Sequence, residues 1–149
     1  ESMASHHDAE IVLKLYDLRR EEVMRKARNF MSTQFWPKSG SEVVKLMQDF
    51  GSENNAYFRQ VTSFWDMATT LVHRGAVDPD LFSDWSGEMF FIFAKLHPYV
   101  EEIRRETQAP RWMHNVFAYL DSKPETQAKF ESFKNRVAFM AKRFETAKA

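Results

Sequence analysis

The hydrophobic positions of this chain recur at spacings of three and four residues almost throughout, the period of helices packed by one face. Over residues 8–33, Ile11, Leu15 and Leu18 form one stripe, and Val12, Tyr16, Val23, Ala27 and Phe30 form an adjoining one. Acids lead this segment (Asp8, Glu10) and bases crowd its second half, as the helix dipole favours. The pattern predicts one helix, ended by Trp36-Pro37 because a residue before proline avoids the helical region. Ser39 and Glu42 then read as a capping box for a short helix containing Val43, Val44, Leu46 and Met47. Gly51 closes it in the left-handed conformation, and Ser52 offers the next N-cap.

Residues 54–100 organise the rest. Tyr57, Val61, Phe64, Trp65, Ala68, Leu71 and Val72 make a broad apolar face, while Arg59, Thr62, Asp66, Thr69 and His73 make a polar stripe beside it. Gly75 stops this helix, Asp78 caps the next and Pro79 takes its first position, so the two should form an antiparallel hairpin. The second arm carries Leu81, Phe82, Trp85, Met89, Ile92, Phe93 and Leu96 on its core side. Phe90, Phe91 and Ala94 make it apolar nearly all round, which marks a central helix or an oligomer interface. Pro98 either kinks or divides this arm before Tyr99, Val100 and Ile103 continue it.

Pro110 is expected to open a further helix with Trp112, Met113, Val116, Phe117 and Leu120. A capping box at Ser122 and Glu125 should start the last, which carries Phe130, Phe133, Val137, Met140 and Phe144. The reading is an all-α, single-domain antiparallel bundle of five or six helices over residues 1–149. Residues 1–7 are expected to be a disordered segment, and Glu1-Ser2 before Met3 looks like a vector remnant.

Composition narrows the partners. Hydrophobic residues at 44% and charged residues at 28% fit a globular chain. Lys and Arg number 21 against 21 Asp and Glu, so the chain lacks the electrostatic term that drives nucleic-acid binding and any polybasic lipid anchor. Cysteine is absent, which excludes disulfides and thiolate chemistry. The longest apolar run, residues 89–94, is far too short for a membrane span, and no signal-peptide pattern is visible. These features predict a soluble, cytoplasmic protein with no nucleic-acid or membrane partner.

Few patterns carry chemistry. The metal-binding helix motifs Glu-x-x-His and His-Glu-x-x-His are absent, and His73, His97 and His114 fall near helix ends, where capping explains them. Glycine-rich phosphate loops and nucleophile elbows are also absent, so no metal and no cofactor is expected. Two carboxylates remain. Asp66 stands about nine residues before Gly75 and Glu88 about thirteen after it, within roughly one helical turn of each other across the hairpin. With Arg59 on the same stripe as Asp66, and Tyr57, Trp65 and Trp85 around them, they form a candidate ligand-binding site in an aromatic pocket. The alternative is a buried salt-bridge network in which Arg59 and Lys95 neutralise the acids. Glu88 could equally stabilise a helix start if Trp85-Ser86-Gly87 interrupts the helix.

The motifs Asn55-Ala56-Tyr57-Phe58-Arg59, Phe64-Trp65-Asp66-Met67, Gly75-Ala76-Val77-Asp78, Leu81-Phe82 and Gly87-Glu88 resemble those of a bacterial family of small helical proteins classed as a domain of unknown function. The resemblance spans roughly residues 8–144. It implies a helical fold and a bacterial source and brings no activity with it. Some members of that family carry an N-terminal membrane segment, and these residues contain none. The functional expectation is a non-enzymatic interaction or regulatory module, a cytoplasmic homodimer joined through residues 89–96, that binds a protein partner or an apolar small ligand. The alternative is a small-molecule binder or an enzyme that uses Arg59, Asp66 and Glu88 beside Tyr57, Trp65 and Trp85.

Overall fold

A computed structural model describes residues 3–148, and the Glu1-Ser2 remnant expected from the sequence lies outside them. The described chain is helical with no strand. It divides into at least eight helices where five or six were expected, because single-helix readings break at three places.

The first break falls inside residues 8–33. Helix α1 runs from His6–Leu18 and α2 from Glu22–Asn29. Ser5 caps α1 by accepting from the Asp8 amide at 3.1 Å, and Asp8 returns the bond to the Ser5 amide at 2.7 Å. Residues 5–7, expected to be disordered, therefore belong to the start of this helix. Glu21 starts α2 with its own carboxylate, which accepts from the Val23 and Met24 amides. A π-helical turn, Phe30–Gln34, follows α2 directly.

Helices α3 (Gly40–Gln48) and α4 (Glu53–His73) begin on Ser39 and Ser52 as expected, each hydroxyl accepting an amide three residues on. Gly75, at φ +78°, ends α4. Its amide bonds to the Val72 carbonyl and that of Ala76 to Leu71, the paired pattern of a Schellman cap. Asp78 caps α5 (Pro79–Trp85) through the Leu81 amide at 2.9 Å.

The second break, at Ser86, separates α5 from α6 (Gly87–Leu96). The third break is at Pro98, which divides the arm instead of kinking it: His97–Tyr99 form a 3-10 turn before α7 (Val100–Glu106). The gap after α7 is expected, but the next helix starts late. Pro110 opens only a turn, because Gln108 and Met113 both adopt φ 55° and the Arg104 guanidinium fixes the Trp112 carbonyl with two bonds of 3.0 and 2.9 Å. Helix α8 accordingly begins at His114 and ends at Leu120. Helix α9 covers Pro124–Lys148. The expected Ser122 cap is absent; that hydroxyl donates back to the Tyr119 carbonyl at 2.6 Å.

One continuous apolar core runs from Leu15 to Phe130. Helix α4 lies at its centre, packed on α2, α3 and α8, and the fully buried Trp65 sits within it. Helix α6 packs on α9 and the π-helical turn, away from α4. The two arms expected to face each other therefore part company at Ser86. Met89, Phe90, Ile92, Phe93 and Leu96 are fully buried within the chain, so the expected dimer face on residues 89–96 is already covered. None of the described helices is long and apolar enough to cross a membrane.

A Cβ at position 75 would meet no atom within 4 Å, so a Gly75→Ala change tests the backbone alone. A side chain in the left-handed region costs about 1–2 kcal/mol, and we expect a fall in Tm of roughly 2–8 °C by calorimetry. Gly40→Ala should fall less: the atoms nearest its Cβ belong to the flexible Glu102 side chain, which can swing aside.

Candidate functional site

Three helix ends converge on Glu88. This residue is in the first turn of α6, where a negative charge meets the positive end of the helix dipole. Arg19 caps the C-terminus of α1 and Arg28 lies in the last turn of α2, both places that favour positive charge. Both guanidinium groups donate to the same carboxylate oxygen: Arg19 Nη2 lies 3.0 Å from Glu88 Oε2, and Arg28 Nε lies 2.8 Å from it. The Arg19 and Glu88 side chains are only 9% and 11% exposed, so this is a desolvated ion pair. Arg28 is the wetter partner at 29%.

Aromatic rings wall this cluster. The Arg19 guanidinium carbon lies 5.5 Å from the Trp65 ring centre, 5.7 Å from Trp85 and 5.6 Å from Tyr16. The two indoles are 5.5 Å apart, with Phe82 edge-on to both. Burying the Trp65 indole removes on the order of 200 Å² from water, about 5 kcal/mol as an upper bound. That exceeds the roughly 1–3 kcal/mol cost of a buried N–H with no acceptor, which is the situation of Trp65 Nε1.

Half of the site expected from the sequence assembles here. Trp65, Trp85 and Glu88 come together. Arg59, Asp66 and Tyr57 do not join them, because Ser86 turns α6 away from α4. Arg59 is exposed and donates to Asn55 Oδ1 at 2.9 Å, while Asn55 itself caps α3 through the Leu46 and Met47 carbonyls. Tyr57 donates to Glu53 and lines a surface cleft of about 570 Å³ with Arg25, Lys26 and Phe30. Asp66 has no ion-pair partner among the described residues, and partial burial raises its pKa above the ordinary carboxylate value. The salt-bridge network expected around Arg59 and Lys95 is thus replaced by one built on Arg19 and Arg28. A signal for both existed: Arg19 lies four residues after the buried Leu15, and Arg28 beside the buried Met24 and Ala27, so both extend core stripes.

Lys95 has a different role. It is 4% exposed, and its ammonium donates to the carbonyls of Met31 (2.7 Å), Phe35 (2.9 Å) and Ser32 (3.3 Å), which the π-helical turn presents. The rings of Trp36 and Phe91 stand 4.0 and 4.5 Å from the nitrogen. Burial pushes its pKa down to about 7, while the carbonyls and rings pull the other way by stabilising the charged form. Among the described residues, no group of His, Asp and Glu could hold a metal ion.

Two contrasts follow. Glu88→Gln leaves two guanidiniums facing a neutral amide, and we expect a loss of about 3 kcal/mol or more in urea unfolding. Asp66→Asn should leave stability at pH 7 unchanged or slightly higher, since the fold already disfavours that charge. Lys95 sets a pH dependence. The folded state disfavours its proton, so stability should rise as pH goes from about 7 towards 10.5, the unfolded value. Lys95→Met, compared with wild type by denaturant melts across that window, should lack this rise.

Neither the curated proteins nor the solved structures provide a match to this chain. A family model does, over residues 4–121, which include every residue of the Glu88 cluster. The chain belongs to the family described as Domain of unknown function (DUF4760).

Proposed function

We propose that this protein is a cytoplasmic, non-enzymatic interaction module that associates with a second copy of itself. The observation that carries the non-enzymatic reading is the pairing of Glu88. A carboxylate clamped by two arginines at 2.8 and 3.0 Å is unavailable as a general acid or base.

Support for self-association comes from the edges of the fold and no longer from residues 89–96. Helix α1 buries only Leu15 along its length and leaves Leu13, Tyr16 and Leu18 each more than half exposed. The far end of α9 exposes Phe139 and Phe144. These two apolar edges differ in charge. Asp8, Glu10 and Asp17 outnumber Lys14 on α1, whereas Arg136, Lys142 and Arg143 outnumber Glu145 on the second half of α9. Opposite charge beside exposed apolar side chains suits α1 of one copy to α9 of another, and a two-fold axis makes that contact twice.

Light scattering coupled to size exclusion at tens of micromolar should give a mass near twice the 17.6 kDa of one chain. Leu13→Gln combined with Phe139→Gln should return the single-chain mass without lowering Tm, because both side chains are exposed. A wild-type chain that runs at the single-chain mass would sink the proposal.

A further inference from the structure

We propose that α1 is a latched arm: it lifts from the body of the fold as one unit, pivoting at Arg20-Glu21, while α2 and the rest of the chain stay folded. Little holds it down. A single stripe of Ile11, Val12, Leu15 and Arg19 faces the core, and of its apolar members only Leu15 is buried. Leu13, Tyr16 and Leu18 are left to solvent. No other helix packs along α1 over an extended face. Among the described residues, the one side-chain hydrogen bond from this segment to another helix is that of Arg19 to Glu88. Arg28 adds a long bond of 3.4 Å to the Arg19 carbonyl.

The latch can release because Glu88 does not depend on it. Both arginines donate to the same oxygen, Oε2, so two positive groups crowd one acceptor. When Arg19 leaves, Arg28 still neutralises the carboxylate and the start of α6 still favours its charge, so no buried acid is stranded. The other side of the pivot is equally self-sufficient. Glu21, extended at φ −60° and ψ 145°, caps α2 with its own carboxylate, so α2 needs nothing from α1. Arg20 and Glu21 are both exposed, as a pivot must be. Once lifted, a helix of 13 residues is marginal by itself, so the amides of the open arm exchange with water. Opening also takes the Arg19 guanidinium off the rings of Trp65 and Trp85, which gives the chain a second surface at that indole pair. The arm lifts within a single chain, whether or not two copies associate.

Hydrogen exchange read by mass spectrometry tests this on the whole chain at low micromolar concentration. A repeat in the chain carrying Leu13→Gln and Phe139→Gln keeps a second copy from pinning the arm. We expect the α1 amides to exchange at one common rate, about a hundredfold or more faster than those in the middle of α4. Urea should speed α1 far less than α4, because a small unit exposes little surface when it opens. Arg19→Gln should raise the α1 rate about tenfold further, leave α2 and α4 unchanged, and let acrylamide quench the tryptophan fluorescence more strongly. Three results would overturn the proposal: α1 exchanging as slowly as α4; rates that fall smoothly from Ser5 towards Arg19 and ignore Arg19→Gln, which is fraying of a chain end; or a variant in which α2 and α4 speed up along with α1, which is loosening of the whole fold.

Discussion

One carboxylate oxygen, Glu88 Oε2, holds two guanidinium groups from residues 60 and 69 positions earlier in the chain. Because the ends of α1 and α2 meet the start of α6 there, the ion pair decides how the first part of the chain lies on the core. Its worth is geometric more than energetic. Apolar replacements of buried ion pairs are often neutral or stabilising, whereas removing one partner is costly. The cluster therefore enforces one arrangement: α6 must begin where Glu88 can reach both arginines, which requires the interruption at Ser86. That interruption turns α6 from α4 towards α9.

The parts of the fold that were legible in the sequence are those decided locally. Ser39, Ser52, Gly75, Asp78 and Pro79 act on their own backbone neighbours, and each is found in its expected role. The readings that failed depend on distant partners. A three-four pattern runs unbroken through Arg19–Glu21, and the end of α1 there is tied to a carboxylate in another helix. The loop at residues 107–113 is shaped by Arg104, which grips a backbone carbonyl, and no side-chain pattern announces that.

The candidate site shows the same division. Trp65 and Trp85 flank a short, well-marked turn, so their meeting was foreseeable. The acid's true partners lay at the other end of the chain, and Arg59, the nearer choice, serves the cap of α3. The apolar circumference of α6 signalled burial in the bundle or in an oligomer interface, and from Met89 to Leu96 only Phe91 is partly exposed. The cover was the chain itself: Phe90 meets Phe130 and Phe133 of α9, while Phe91 meets Trp36. The lone base in that helix marked a buried cation, but its acceptors are carbonyls, and every residue has one of those.

The ending of the family match has a consequence for what counts as a unit. The match stops at residue 121, and α9 starts at Pro124. Yet α9 places Thr126 and Phe130 in the interior and closes the outer side of Phe90. The boundary drawn by shared sequence and the boundary drawn by exclusion of water thus differ by a whole helix. A fragment cut at the sequence boundary would keep every member of the Glu88 cluster and still be unsealed, with an aromatic wall turned to solvent. For this chain the smallest piece that closes on itself includes the last helix.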